Sequence, residues 1–252
     1  MAIMRMPVLF AGHGSPMNAI EDNQWSRGFA ALSRYTGTPR AILCISAHWF
    51  VPGTFVTGEA KPKTIHDFGG FPDELFEVRY PAPGSAELAA RTGQLTGATP
   101  RTDWGLDHGA WSVLMHVFPD ANIPVVQLSI DHRLPATEHL ALGRKLAPLR
   151  DEGVLIVGSG NITHNLRHAF TRRDLPPWAS NFDAAAAEAL KRGDADALAK
   201  MLDTDDGRRS HPTPDHYLPL LYAAGAASDS QVSFPVEGFD LGSLSMRSVI
   251  FQ

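Results

Sequence analysis

Pro7-Val8-Leu9-Phe10-Ala11-Gly12-His13-Gly14-Ser15-Pro16 is the stretch on which the fold turns. The apolar run reads as a short buried strand, and Gly12, Gly14 and Pro16 stop it and force a turn. A histidine is thereby presented at the C-terminal end of an early strand. Its two glycine neighbours let other groups approach closely and leave room for a ligand. In an open α/β sheet that edge is where ligands bind. Taken alone, the stretch is explained as well by a strand-end turn with an incidental histidine. The rest of the chain changes the balance.

Working outward, residues 24–35 carry Trp25, Phe29 and Leu32 at helical spacing and end at Gly37 and Pro39. Ala41-Ile42-Leu43-Cys44-Ile45-Ser46-Ala47 is continuously apolar, as a parallel strand buried on both faces must be. It stops at His48-Trp49, again a histidine at a strand end. Residues 55–57 read as a short strand. Residues 61–83 are irregular and rich in glycine, proline and aromatics, the mark of a functional loop rather than a linker. Helices are expected over 85–96, 136–149, 180–192, 195–202 and 212–226. A short helix follows the loop at 104–111. Strands are expected over 123–130, 154–157, 232–236 and 245–251. Strands alternating with helices, with no linker or internal repeat, predict a single α/β domain over 1–252. It has a central, mostly parallel sheet flanked by helices, with the site at the strand C-terminal edge.

Composition narrows the function. The 252 residues allow a sizeable core, and 44% hydrophobic with 19% charged residues excludes a disordered chain. A net charge of −5 offers no basic surface to nucleic acid or to an anionic membrane. No apolar run reaches the length of a membrane span, and the N-terminus does not read as a signal peptide, so a cytoplasmic protein is expected. Cys44 is the one cysteine and lies in an apolar run, which excludes a disulfide framework and a Cys-x-x-Cys metal site. A monomer and a homodimer are both compatible with the sequence.

The eleven histidines carry the remaining signal. His13, His48, His164 and His216 stand after apolar strands or at a helix opening, so parallel strands could bring them to one edge. Neutral imidazole is the commonest metal ligand. His116, His132, His139, His168 and His211 lack that placement and are expected on the solvated surface. Rival motifs fail. No phosphate-cradling Gly-x-x-x-x-Gly-Lys segment occurs. Gly158-Ser159-Gly160 does not complete a dinucleotide fingerprint, since Thr163 stands at the last glycine position. Ser15 lacks a nucleophile elbow and reads as a turn residue.

Seven stretches occur in order over most of the chain. They are Gly12-His13-Gly14-Ser15-Pro16, Ser46-Ala47-His48-Trp49, Asp67-Phe68-Gly69-Gly70-Phe71-Pro72, Tyr80-Pro81-Ala82-Pro83-Gly84, Gly105-Leu106-Asp107-His108-Gly109-Ala110-Trp111, Gly158-Ser159-Gly160-Asn161-Ile162-Thr163-His164-Asn165 and Thr213-Pro214-Asp215-His216-Tyr217-Leu218-Pro219. Together they resemble the class III (LigB-type) extradiol ring-cleavage dioxygenases, and within them the 4,5-DOPA extradiol branch. The resemblance implies a non-haem metal enzyme that opens a DOPA-like catechol with O₂. It implies His13 and His48 as metal ligands and His216 as a third metal position. His164 matches an acid/base that is also counted among the metal-site histidines. His108 matches a pocket histidine near substrate and O₂. The loop at 65–83 would bring Asp67 and aromatics to the substrate ring. Fe(II) is the cofactor expected for activity.

The usual non-haem iron set is two histidines and one carboxylate. Here the third position reads as histidine, so either His216 ligates or neighbouring Asp215 supplies the carboxylate. Three histidines also suit Zn(II), and a zinc-dependent hydrolase on the same site is the alternative. A metal-dependent binding module without turnover is a third possibility.

Overall fold

The alternation of side chains along the central strands shows why both faces of the sheet are covered. In the computed structural model, which describes residues 5–172, 174–227 and 230–252, Val8 and Phe10 face one apolar core while Leu9 and Ala11 face another. The same split divides Leu43 and Ile45 from Ile42 and Cys44, and Ile156 from Leu155 and Val157. A strand buried on both faces has no polar face to show, hence the continuous apolar runs.

The strands are β1 (Val8–Gly12), β2 (Ala41–Val51), β3 (Phe55–Thr57), β4 (Thr99–Arg101), β5 (Val125–Asp131), β6 (Val154–Gly160), β7 (Val232–Val236), β8 (Phe239–Asp240), β9 (Leu244–Ser245) and β10 (Ser248–Phe251). Eight form one sheet in the order β4-β3-β5-β2-β6-β1-β10-β7, and β8 and β9 form a separate hairpin. The central four, β5-β2-β6-β1, are parallel. β10 and the β3–β4 pair join them antiparallel.

The helices are α1 (Gln24–Thr36), α2 (Asp73–Glu77), α3 (Ala86–Thr96), α4 (His108–Val117), α5 (Ala136–Leu146), α6 (Pro148–Asp151), α7 (Leu166–Thr171), α8 (Pro177–Lys191), α9 (Ala195–Lys200), α10 (Asp205–Ser210) and α11 (Leu218–Ala226). Residues of α3, α5, α8, α9 and α11 build the first core, and those of α1, α2 and α4 the second. No helix among the described residues is long and apolar enough to cross a membrane.

Several expected bounds move. The helix expected over 136–149 is two helices, because Pro148 starts a new one as its first residue. The helix expected from 212 begins at Leu218, and the proline-rich 212–217 form turns that carry His216. β2 does not stop at Ala47 but runs to Val51. Its register against β5 shifts between Ile45, opposite Leu128, and Phe50, opposite Ile130. Four residues, 46–49, thus bulge out where the partner strand supplies one, and His48 rides on that bulge. His139 and His211 are buried, not solvated. His139 hydrogen-bonds with the Tyr222 hydroxyl at 3.0 Å, and His211 Nε2 donates to the Ile162 carbonyl at 2.7 Å.

Candidate active site

The end of β6 is the post to which the site is tied. The Gly160 carbonyl accepts from the His13 amide (2.9 Å), and the Asn161 amide donates to the His216 carbonyl (2.9 Å). A β-carbon at Gly160 would overlap that His216 carbonyl, so glycine is what lets the turn at 215–217 approach. The Asn161 side chain accepts from the Gly14 amide (3.4 Å) and donates to the Ser245 carbonyl (2.8 Å). Asn18 holds the His13 carbonyl (3.1 Å). Gly14 lines the histidine pocket, but the space beside Gly12 is not left for a ligand, as the sequence suggested. A β-carbon at Gly12 would lie 2.7 Å from the Met246 carbonyl carbon, so the crossing segment 245–247 fills it. Ser15 caps the turn that follows, accepting from the Met17 amide at 3.2 Å.

His13, His48 and His216 converge there. Each offers one nitrogen within 4.8 Å of the others. His13 Nε2 and His48 Nε2 stand 3.2 Å apart. The surrounding hydrogen bonds choose the tautomers. The Ser159 hydroxyl gives its proton to the Gly109 carbonyl (2.5 Å), so its oxygen accepts from His13 Nδ1 (2.9 Å). That leaves the lone pair on His13 Nε2. His216 Nδ1 donates to Asp215 Oδ2 (2.5 Å), and His48 Nδ1 stands 3.2 Å from Asp67 Oδ2. The Nε2 atoms of His13 and His216 are therefore acceptors, and His48 Nε2 stands against that of His13. Lone pairs aimed at one another repel unless a cation sits among them, so the donor set fits a divalent metal ion.

Electrostatics keep these rings neutral. Burial, then the imidazoles of His48, His216, His108 and His164, hold His13 well below the ordinary histidine range. Burial and His108 push His48 down to about 3 against the opposing pull of Asp67. Burial, then His164 and His48, lower His216 likewise. Asp215 accepts from the ring of His216 and falls outside both groups of donors that could share an ion, His13 with His48 and His216, and His48 with Asp67 and His108.

Asp67 binds a second pair of rings together. Its Oδ1 accepts from the His108 amide and its Oδ2 from His108 Nδ1, both at 2.9 Å, and Oδ2 also lies 3.2 Å from His48 Nδ1. Burial alone would raise this carboxyl, but the hydrogen bonds and charges of His108, with His48, bring it down to about 2. The loop at 61–83 is pinned rather than free. The Ile65 amide donates to the Leu106 carbonyl and the Leu106 amide to the Lys63 carbonyl, both at 2.7 Å, and Trp111 Nε1 donates to the Ile65 carbonyl at 2.8 Å. Phe68 stands edge-on to His108, with ring centroids 5.4 Å apart. His164 lies outside the triangle of donors and stacks flat on His216, centroids 3.4 Å apart and planes 5° from parallel. Burial and His211 bring it down to about 4, against Asp215.

Some functional residues carried no signal in the sequence. Ser159, Asn161 and Asp107 sit in quoted stretches, but nothing in their spacing gives them a task. Asp107 caps α4, accepts from the Ser46 hydroxyl (2.6 Å) in the β2 bulge, and meets Gln127 Nε2. Burial, then the charge of Asp67, pushes it up to about 6. The histidines line a cavity of about 490 Å³, which also includes Asp67, Phe68, Phe71, Leu166, Phe170 and Leu241. That volume lies within the ordinary range of small-molecule sites.

A doubly covered α/β sheet with a histidine cluster at its strand C-termini defines a metal-site enzyme class of the kind that binds small molecules in a strand-edge crevice. Residues 7–251 match the family model for the catalytic LigB subunit of aromatic ring-opening dioxygenase. The chain belongs to this family and is an extradiol-type aromatic ring-opening dioxygenase. A relative from Escherichia coli K12, a 4,5-DOPA dioxygenase extradiol, is 49% identical, the match covering 99% of this chain and 96% of that one. A protein of the same name from Beta vulgaris is 41% identical, covering 96% and 95%. The crystal structure of an uncharacterized protein from Escherichia coli K12 superposes with a TM-score of 0.84 at 43% identity, covering 98% of this chain and 100% of that one.

Proposed function

We propose that His13, His48 and His216 hold one Fe(II) ion and that the enzyme opens a substituted, DOPA-like catechol outside its two hydroxyls with O₂. The convergence of one nitrogen from each of three neutral imidazoles, all within 4.8 Å of one another, carries this reading. Bound Fe(II) supplies a Lewis acid for the catechol oxygens and the electron transfer that O₂ requires. Zn(II) fits the same donors but has no redox chemistry, so a zinc-filled protein is expected to bind without turning over.

The chain's own side chains do the rest. His164, neutral at pH 7 and beside the donor cluster, takes a proton from a catechol hydroxyl and later returns one to the ring-cleavage intermediate. His108, held by Asp67 through both its amide and its Nδ1, lines the same pocket and offers its other nitrogen as a hydrogen-bond partner for O₂. Asp67 acts on the substrate pocket through His108 and His48. Phe68 and Phe71 form an apolar wall for the ring. The zinc hydrolase and the inactive binding module lose ground to membership of a ring-opening family.

The test is anaerobic loading with Fe(II) or Zn(II), then air and a panel of catechols. Oxygen uptake with a yellow ring-opened product is expected from the iron form alone. Oxygen uptake by neither form would sink the reading. His164→Ala is expected to lower turnover by about 10²–10⁴-fold while iron content stays. Loss of the iron instead would make His164 a ligand.

A further inference from the structure

A second cavity, of about 540 Å³, lies beyond the histidine pocket, and the two share no lining residue. The helix α7 stands between them. Its Leu166 and Phe170 line the histidine pocket, and its Arg167 and Thr171 line the second cleft. Arg172 follows α7, Arg208 and Arg209 come from the last turn of α10, and Trp178 comes from the first turn of α8. Four guanidinium groups of the described residues thus meet in one cleft, on a chain whose net charge is −5. The whole-chain charge hides this surface, because the fold gathers arginines that lie far apart in the sequence.

Two carboxylates enter the local balance. Asp205 pairs with Arg208, and Asp174 Oδ1 lies 3.4 Å from His168 Nε2. Among the described residues, Arg167, Arg172 and Arg209 have no carboxylate partner. The walls of the cleft are tied together. Asn165 caps α7 by accepting from the His168 amide at 3.0 Å, and its Nδ2 donates to the Arg209 carbonyl at 2.7 Å. The His164 amide donates to the Ser210 carbonyl at 3.0 Å. The end of α10 is thereby laced to the start of α7, and the arginines of both are held at a set spacing before any ligand arrives. Like charges gathered in this way repel, and an anion between them removes the repulsion.

We propose that this cleft binds a compact polyanion, a small molecule with two or more phosphate or carboxylate groups. The planar fork of a guanidinium suits either group bidentately, and forks on separate elements call for several anionic groups on one molecule. The volume is that of a small-molecule site rather than of a single ion. Trp178 offers an apolar wall to the ligand's carbon frame.

Fructose 1,6-bisphosphate and tricarballylate are the probes, one for each kind of anionic group. Each is titrated calorimetrically into the Zn(II)-loaded protein at low and at high salt, beside sulfate and a short single-stranded oligonucleotide. At least one probe is expected to saturate one site per chain, at least about 10-fold more tightly than sulfate, and less tightly at high salt. The probe that binds names the anionic group. Arg172→Ala and Arg209→Ala are each expected to weaken it about 10–100-fold. Arg209→Lys is expected to recover only part of that loss, since an ammonium lacks the fork. These side chains are exposed, so the thermal midpoint and the zinc content are expected to hold in all three variants. Saturable binding of neither probe overturns the proposal, as does binding that survives both alanine variants. Sulfate bound as tightly as the probes makes the cleft a general counter-ion site and overturns it too. Tighter binding of the oligonucleotide overturns it in favour of an extended nucleic-acid ligand.

Discussion

At the scale of single residues, Ser159 shows how one hydroxyl sets a metal site without touching it. Its proton goes to the Gly109 carbonyl, so its oxygen accepts from His13 Nδ1 and the lone pair is left on Nε2. Ser159→Ala removes that acceptor and frees the ring to turn or to change tautomer. Metal affinity is expected to fall about 10–100-fold, with a stability cost of about 1–3 kcal/mol for the unpaired carbonyl and ring nitrogen. A chelator-competition titration with Zn(II) reads the first and denaturant unfolding the second. Unchanged affinity would refute the tautomer argument. His13, His48 and His216 were legible in the sequence because each follows an apolar run or opens a helix. Ser159 was not, because its importance depends on Gly109, fifty positions away, whose carbonyl takes its proton.

At the scale of elements, the bulge in β2 decides where His48 stands. It is braced from behind by Asp107, which accepts from Ser46 and also caps α4. Asp107→Ala removes the cap and leaves Ser46 and Gln127 without their partner in a dry region. A loss of about 2–4 kcal/mol is expected, together with weaker metal binding because His48 shifts with the bulge. A variant with an unchanged unfolding midpoint would contradict this bracing. Of the long elements, α1 was readable from its helical spacing, α8 from its alanines, and β2 as far as Ala47 from its apolar run. β4, α7 and α10 were not, since three to six residues hold less than two turns of pattern and owe their form to what they pack against. The loop at 61–83 was correctly marked by its composition, but its pinning to Leu106 and Trp111 joins distant parts of the chain.

At the scale of the whole molecule, burial makes the fold sensitive to acid. Burial brings His139 and His211 each down to about 4. Between that value and about 6.5 the unfolded chain binds more protons than the folded one, so stability is fullest above the ordinary histidine range and falls as pH is lowered toward 4. Each contributes up to about 3 kcal/mol. Asp107, raised to about 6, works the other way: it favours the fold at low pH and loses that contribution as pH rises from 3.8 to 6. Two histidines outweigh one carboxyl, so the metal-free protein is expected to unfold at lower denaturant at pH 5 than at pH 7.5. His139→Gln is expected to flatten that slope. A slope of opposite sign, or one unaffected by the substitution, would count against these burial assignments.

The sequence by itself determined the α/β class, the parallel centre of the sheet, and the candidate histidines at strand ends and a helix opening. These follow from local pattern: apolar runs of strand length, helical spacing, and the glycines and prolines that stop them. Only the tertiary structure decided which of the eleven histidines meet. The order β2-β6-β1 puts the ends carrying His48 and His13 on either side of β6, and the Gly160–Asn161 step draws in His216. His132, at the end of β5, lies one strand further out and stays exposed. The tertiary structure also filled the space beside Gly12 and stacked His164 on His216. Each of these is a contact between residues far apart in the chain, and spacing along a sequence does not encode distance across a sheet.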